Sequence, residues 1–226
     1  MASAPAFAAN PTGAVKMTWN VAATATMTLA TNYTTAANAP QSLGATSLQG
    51  SPAATCASGA SETALNLTFG ALSGSTTVET ACNYQRAVSA LVVTNDALGY
   101  KVQEWLDTAP TAGIQFCAFP NGSSATVGPA SSNATAPAAI AAGACATGGS
   151  LLPAGSAPTG AGAGQPGTAG IRNSTAPATP FTWANVAAGP PAAQTIYGED
   201  IQINLAPNQA SSTADSSYII ISLIPN

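Results

Sequence analysis

The sequence contains no histidine and very little charge. Only 5% of its 226 residues are Asp, Glu, Lys or Arg, whereas about 25% is the average for globular domains. Without histidine the usual Ser-His and Cys-His catalytic pairs cannot form, and a structural zinc site lacks one of its two common ligand types. The composition therefore argues against an enzyme and against a required metal or organic cofactor, with calcium less firmly excluded because it needs only oxygen ligands.

Basic residues are scarce as well. Lys and Arg together number four, and the net charge is -4. Binding to nucleic acid requires a cluster of basic residues that this chain lacks. The same scarcity of basic residues argues against binding to anionic lipid. No stretch of the sequence approaches 18 consecutive apolar residues, the length at which a transmembrane helix is expected. We therefore expect neither a nucleic acid partner nor membrane insertion.

Uncharged polar residues must take over the role of a charged surface. Thr, Ser, Asn and Gln keep such a protein soluble, which is typical of a secreted protein with an uncharged polar coat. A surface covered by neighbouring copies or by glycans is compatible with the same composition. Five Asn-X-Ser/Thr sequons provide candidate glycosylation sites, namely Asn32, Asn66, Asn121, Asn133 and Asn173. We expect an extracellular protein at the cell surface.

Four cysteines are distributed without the C-x2-C spacing of a zinc site, at Cys56, Cys82, Cys117 and Cys145. An even count in a chain of exported character predicts two disulfides, for which three connectivities are possible. We favour sequential pairing, because each bridge then closes an excursion rich in Gly, Ala and Ser. Closing loops of this size stabilises the fold by about 3 to 4 kcal/mol each in the chain-entropy model. The alternative is four buried free thiols.

One long segment alternates between apolar and polar residues. Every odd position from 15 to 29 is apolar, namely Val15, Met17, Trp19, Val21, Ala23, Ala25, Met27 and Leu29. A period of two predicts a β-strand with one apolar and one hydroxyl-rich face. At about 3.3 Å per residue, residues 15–30 would extend roughly 50 Å, two to three times a typical strand. Such a strand is expected to serve two sheets or two subunits.

The residues before this strand resemble the small-residue end of an export signal. They read MASAPAFAANP, with neither a basic region nor an apolar stretch. Two interpretations stay open: numbering that begins inside a processed precursor, or a mature extended arm. We treat residues 1–30 as an N-terminal arm followed by a long strand of donor type.

Shorter β-type runs are distributed over the rest of the chain. Predicted strands cover residues 64–69, 76–82, 88–94, 100–106, 114–119, 199–205 and 217–224, and turn residues separate them. Residues 95–99, NDALG, predict a hairpin loop that joins the strands on either side as partners. No helical period is sustained. The pattern predicts an all-β fold, an immunoglobulin-like β-sandwich formed by residues 31–226 as a single domain.

Residues 120–191 differ in composition from the rest of this domain. They are rich in Gly, Ala, Ser, Thr and Pro, with scattered apolar residues. We predict a long ordered loop insertion, since structureless loops of this length are uncommon in compact domains, and Cys145 and Trp183 favour order over disorder. The segment GAGAGQPG within it lacks the Lys-Ser/Thr of a phosphate-binding loop and is interpreted as a flexible loop.

The acidic residues are the remaining candidates for chemistry. Two pairs are close in sequence, Glu104 with Asp107 and Glu199 with Asp200. They would act as glycosidase acids or calcium ligands only if they converged on one site. At the ends of predicted strands, they are more simply interpreted as solvated residues.

Four segments resemble secreted β-sandwich subunits of bacterial and archaeal surface filaments. They are the opening strand, LTFGALSGSTTVETACNY at residues 67–84, VVTNDALGYKV at residues 92–102 and DSSYIIISLIPN at residues 215–226. The nearest families are the spore coat protein U and archaic pilin group and the camelysin-like fibre subunits. The resemblance implies assembly by donor-strand complementation, in which each subunit lends an N-terminal strand to a groove in its neighbour.

The expected function is accordingly a structural subunit of an extracellular filament whose partners are copies of itself. The subunit contact is predicted on the larger apolar side chains of the first strand, Val15, Met17, Trp19, Val21, Met27 and Leu29. The main alternative is a secreted adhesin or carbohydrate-binding module that recognises a surface glycan or a host molecule. Tryptophans could line a sugar platform in such a module, although a core or interface role is favoured for Trp19, Trp105 and Trp183. A virion coat protein and an enzyme are weaker alternatives.

Overall fold

The computed structural model describes residues 18, 23–35, 48–51, 55–58, 61–63, 65–131, 144–156, 174–187, 194–211 and 215–226. In these residues the fold is all-β, as predicted, and contains no helix, so no helix of the described chain could cross a membrane. The strands are β1 (Ala25–Thr31), β2 (Leu48–Ser51), β3 (Cys56–Ser58), β4 (Ser61–Thr63), β5 (Asn66–Thr68), β6 (Ala71–Leu72), β7 (Thr80–Thr94), β8 (Tyr100–Leu106), β9 (Ile114–Ser124), β10 (Ser150–Leu151), β11 (Phe181–Val186), β12 (Thr195–Leu205) and β13 (Ile219–Pro225).

The strands form two antiparallel sheets that pack face to face as a sandwich. The large sheet has the order β1-β7-β12-β9-β10, with β2 also paired to β7, and the small sheet has the order β11-β8-β13. Two short ribbons, β3 with β6 and β4 with β5, lie outside these sheets. Side chains of both sheets meet in one core, which includes Val88 and Ile201 from the large sheet and Val102 and Leu106 from the small one.

The two central strands of the large sheet are covered on both faces. Strand β12 is buried from its second residue to its last, and β7 is buried over most of its length. On the inner face these strands contact the small sheet, and on the outer face Tyr33 is fully buried against Gly198. A side chain at position 198 would collide with the Tyr33 hydroxyl, so this close approach requires glycine.

Strand β7 is longer than predicted because two expected strands, residues 76–82 and 88–94, merge into one. Arg86 lies in the middle of it with a positive φ of 52°, and the pairing with β12 shifts register between Glu199 and Ile201. This irregularity is a β-bulge, which lets a strand bend without ending. Gln85 and Arg86, which lie between the two expected strands, are therefore part of this bulge.

The connection between β7 and β8 crosses from one sheet to the other. The prediction of a hairpin at residues 95–99 is wrong, because β7 pairs with β1, β2 and β12, whereas β8 pairs with β11 and β13. The turn chemistry itself is present: Asp96 Oδ1 accepts a hydrogen bond from Leu98 N at 2.9 Å, and Gly99 has a φ of 85°. Such a turn permits either connection, and the burial of β7 between two other strands decides which one forms.

The region predicted as a loop insertion supplies part of the sandwich. Its described residues include β11, a full member of the small sheet, and β10 at the edge of the large one. Trp183 on β11 and Leu152 after β10 belong to the hydrophobic core. The interpretation of residues 120–191 as an insertion outside the sandwich is therefore wrong for β10 and β11. The sequence did not reveal β11, because this strand has only six residues and its last two, Asn185 and Val186, are exposed.

Both predicted disulfides are present. Cys56 pairs with Cys82 and Cys117 pairs with Cys145, with Cα atoms 5.7 Å and 6.0 Å apart. All four cysteines are bonded, so the alternative of free thiols is wrong. Each bridge ties a peripheral segment to a buried strand of the large sheet, β7 in the first case and β9 in the second.

Candidate functional site

The four acidic residues that were interpreted as solvated are buried. Glu104, Glu199 and Asp200 have no exposed surface, and Asp107 is 2% exposed. Glu104 lies within β8, and Glu199 and Asp200 lie in the middle of β12. The prediction that these residues are solvated is therefore wrong. The strands extend past Glu104 and Glu199, which lie between the sheets, whereas loops cover Asp200 and Asp107 is buried just after the end of β8.

Glu104 and Glu199 face each other between the two sheets. The two carboxyl groups are within reach of one another, and no donor in the described chain reaches any of their four oxygens. Since two ionised carboxylates have no hydrogen to share, a hydrogen bond between them requires a proton. Burial raises the pKa of both groups above the ordinary value, and the charge of Glu104 raises that of Glu199 further.

A second polar bridge runs beside this pair on the same two strands. The hydroxyl groups of Tyr100 on β8 and Tyr197 on β12 are 2.7 Å apart and buried. Burial raises the pKa of Tyr197, and the hydrogen bond with Tyr100 raises it further. The core between β8 and β12 thus contains two polar contacts, one between carboxyl groups and one between phenol groups.

Asp200 lies on the opposite face of β12 from Glu199, because successive strand residues point to opposite sides. Its carboxylate accepts hydrogen bonds from Arg86 N at 2.7 Å, Asn121 Nδ2 at 2.7 Å and Ser131 Oγ at 2.6 Å. The Asn121 amide also donates to the Tyr33 hydroxyl at 3.1 Å. This group, the Asp200 cluster, fastens the covering loops to the outer face of the large sheet.

Asp107 has a separate structural role. Its Oδ1 accepts a hydrogen bond from Tyr218 N at 3.0 Å, which fixes the chain as it enters β13. Glu104 points into the core, so the two residues that are close in sequence do not share a site. Within the described residues no group of three or more His, Cys, Asp or Glu side chains could hold a metal ion.

A shallow cleft of about 330 Å³ opens between the two sheets at one end, lined by Pro120, Gly122, Ser123, Trp183, Ala184, Asn185, Val186 and Tyr197. Trp183 is 8% exposed, and Trp105 is 5% exposed with its Nε1 donating to Ser174 Oγ at 3.0 Å. Neither ring presents a face on which a sugar could stack. Both are core residues, the role that the sequence favoured, and Trp19 lies outside the described residues.

The residues predicted to form the subunit interface fall into two groups. Val15, Met17, Trp19 and Val21 lie outside the described residues. Met27 and Leu29 lie on β1, opposite Val92 and Ala90 of β7, and pack against the core of their own chain. The second half of the long alternating segment therefore belongs to this subunit's sandwich. A segment donated to another copy can therefore include only residues that precede β1.

The chain enters the sandwich at the end where β7 passes to β8. Thr24 N donates to Asn95 Oδ1 at 2.5 Å, and Asn95 N donates to Thr24 O at 3.1 Å. The last residue of the chain is at the same end, where Asn226 Nδ2 donates to Val186 O at 2.8 Å. The beginning of β1 and the ends of β11 and β13 thus meet at one end of the molecule.

Three exposed apolar residues lie at this end and form what we call the end patch. They are Leu98, Val186 and Ile224, with exposures of 63%, 36% and 39%. The side-chain amide of Asn226 links two of them, because its Nδ2 donates hydrogen bonds to the backbone carbonyl oxygens of Leu98 and Val186. Exposed apolar groups gathered at one place are typical of a contact surface.

The small sheet also has an open edge. Strand β13 pairs with β8 on one side, and among the described residues no strand pairs with its other side. Its Ile and Leu side chains are partly exposed, although Ile219, Ile221 and Leu223 also pack against the core. Strand β1, the edge of the large sheet, lies beside it. An edge with apolar side chains and free backbone groups favours the addition of a further strand.

The sequons differ in accessibility. Asn32 is fully buried, and Asn121 directs its Nδ2, the atom to which a glycan would be attached, toward Asp200 and Tyr33. Asn66 on β5 is exposed, while Asn133 and Asn173 lie outside the described residues. In the described part of the folded chain, Asn66 is the sequon that could carry a glycan.

The Glu104–Glu199 pair is the feature that sequence reasoning missed. A signal for it exists in β8, where Tyr100, Val102, Glu104 and Leu106 occupy alternate positions and so share one face. Three of these four residues are apolar or aromatic, which places the carboxyl group of the fourth in the core. Strand β12 carries the same signal, since Glu199 alternates in phase with Tyr197 and Ile201 of the core, and the register shifts there come from extra residues in β7 and β9.

Comparison with known proteins finds no matching family model and no curated protein or solved structure of significant similarity.

Proposed function

We propose that the protein is a structural subunit of an extracellular filament that polymerises by donating an N-terminal strand to a neighbouring copy. The proposal rests on one observation. The chain enters the sandwich at Thr24, at the same end of the molecule as the end patch. Residues that precede this entry can extend toward a neighbour, and the end patch provides the apolar surface for a head-to-tail contact.

The donor segment is residues 15–22. It carries the first half of the alternating pattern, with Val15, Met17, Trp19 and Val21 on one side, and it directly precedes β1. In strand addition the backbone hydrogen bonds provide affinity, and alternate side chains fill pockets. Fully burying a side chain such as Val or Met contributes about 1.5 to 3 kcal/mol, so four apolar side chains are sufficient for a stable contact.

The acceptor in the neighbouring copy is the open edge of β13. The partly exposed apolar side chains of β13 supply the contact surface. Strand β1 lies beside β13, so two edge strands meet on this side of the sandwich. A contact between the N-terminal segment of one copy and the β13 edge of the next uses two different surfaces. Such heterologous contacts produce a filament when the rotation between copies does not close.

Two further features support an extracellular structural role. Both disulfides are compatible with an oxidising compartment. The acidic pairs that might have served catalysis are buried and hydrogen-bonded within the fold, so we propose no enzymatic activity. The carbohydrate-binding alternative loses support, because the described tryptophans are buried in the core.

The test is a comparison of single charged substitutions on the two faces of the donor segment. Val21→Asp places a charge on the apolar face, and Asn20→Asp places the same charge on the polar face one residue away. Burying an unpaired charge is strongly unfavourable. We therefore expect Val21→Asp, and equally Trp19→Asp, to abolish polymerisation as seen by negative-stain microscopy and sedimentation, whereas Asn20→Asp polymerises.

Deletion of residues 1–22 is the second variant. It leaves β1 intact, so the truncated chain should fold, remain monomeric and accept a synthetic peptide of residues 13–23. The proposal is wrong if the truncated chain forms native filaments. It is equally wrong if the full-length protein stays monomeric at high concentration, with residues 15–22 paired to β13 of their own chain.

A further inference from the structure

Among the described residues, the centre of the sandwich contains two carboxyl groups and no basic group to balance them. Glu104 is flanked by Phe181 on β11 and Ile221 on β13, its partners in the small sheet. Glu199 lies between Val88 on β7 and Pro120 on β9 in the large sheet. All four neighbours are apolar. No donor in the described chain reaches any of the four carboxyl oxygens, so among the described residues each carboxyl group can pair only with the other, across the gap between the sheets.

The charged groups nearest in sequence to the pair point elsewhere. Lys101 on β8 is half-exposed, and it alternates with Tyr100 and Val102, which face the core. The Arg86 charge acts on Tyr33, at the outer face of the large sheet. Asp200 is also on the outer face, and its negative charge only increases the cost of ionising Glu199.

The other titratable groups in the described core are phenols, namely Tyr84, whose hydroxyl donates to Thr68 O, and the pair of Tyr100 and Tyr197. The hydroxyls of the pair bond to each other, and a phenol is not a cation in either protonation state. None of them supplies a positive charge. No cation in the described chain therefore stabilises an ionised Glu104 or Glu199, and a buried unpaired carboxylate is costly.

We propose that Glu104 and Glu199 hold a shared proton that joins the two sheets, so that the folded protein is stable in acidic solution and is loosened by alkali. The contact is carboxyl to carboxyl, with the proton of one group donated to an oxygen of the other. When the proton is lost, two negative charges face each other between apolar neighbours, and the two sheets repel at this point. The inference is independent of the proposed filament.

The direction of the pH dependence follows from which state binds the proton. Unfolded glutamates ionise near their ordinary pKa of about 4.3, whereas burial raises the pKa of both folded groups. The contribution to stability is therefore complete below that ordinary value and is lost as the pH rises toward the folded pKa. Over this interval the unfolding equilibrium constant rises about tenfold per pH unit for each proton that the folded state alone retains.

Unfolding by urea at pH 5, 6, 7 and 8, with the disulfides intact and tryptophan fluorescence as the signal, measures this dependence. In the wild-type protein we expect the unfolding constant to increase at least about tenfold per pH unit. In the variant with both Glu104→Gln and Glu199→Gln, the two amides hydrogen-bond at every pH, and the profile should be nearly flat. Glu79→Gln, which removes a half-buried carboxyl outside the core, should keep the wild-type profile.

Infrared spectroscopy of the folded wild-type protein provides a test that does not depend on any double variant folding. At pH 7 ordinary carboxyl groups are ionised, so a carbonyl band of a protonated carboxylic acid would come from this pair. The band should persist in Glu79→Gln and diminish in Glu104→Gln. Absence of the band at pH 7, or a wild-type stability that does not change between pH 5 and pH 8, would overturn the proposal.

Discussion

Tyr100 and Tyr197 connect the two sheets of the sandwich through a direct contact of their hydroxyl groups, 2.7 Å apart. Their rings are nearly perpendicular, with an interplanar angle of 77° and centroids 6.4 Å apart. Trp183 packs against the ring of Tyr197 from β11. The hydroxyl pair satisfies two polar groups that the surrounding core would otherwise leave unpaired.

Removing one hydroxyl of this pair should cost more than removing both. In Tyr197→Phe the Tyr100 hydroxyl stays buried without a partner, and the free energy of unfolding should fall by about 1 to 3 kcal/mol. The variant with both tyrosines changed to Phe should recover part of this loss, because no orphaned group remains. Urea unfolding of the two single variants and the double variant forms a double-mutant cycle. Additive losses would contradict the contact.

Asp200 should be among the most sensitive positions for stability. Its carboxylate accepts three hydrogen bonds within the Asp200 cluster, and Asp200→Ala removes the acceptor of all three. We expect a loss of at least about 3 kcal/mol in the free energy of unfolding, since hydrogen bonds to charged groups contribute more than neutral ones. Asp215→Ala removes the same carboxyl from an exposed position and should change stability by less than about 0.5 kcal/mol.

Glycosylation, where the host provides it, should be found at Asn66 and not at Asn32 or Asn121. The Asn121 Nδ2 atom is occupied by Asp200 and Tyr33, and a glycan there would separate the covering loops from β12. Mass spectrometry of glycopeptides from the native protein checks this. A stoichiometric glycan at Asn121 would show that the Asp200 cluster is not formed as described.

Several strands were predictable because their side chains alternate over an uninterrupted run. In β8 the period of two is regular and marks the core face correctly, including the position of Glu104. In β12 the same period places Glu199 on the core face with Tyr197 and Ile201, because the register shifts beside it come from extra residues in β7 and β9. The sequence therefore shows which acid points inward but not which residue it meets. Strand β11 was not predicted, because it lies in a Gly- and Pro-rich region and its six residues are too few to show a clear alternation.

Local sequence by itself determined the all-β class, most strand positions, the turn at residues 95–99 and the sequential disulfides, since each depends on the period of side chains or on short loops. Tertiary structure alone decided that β7 and β8 belong to different sheets, that residues 25–31 pair within their own subunit, and that Glu104 meets Glu199. The physical reason is that strand pairing and the burial of charge depend on residues far apart in the chain. A strand's own sequence records that one face will be covered, but not which strand covers it.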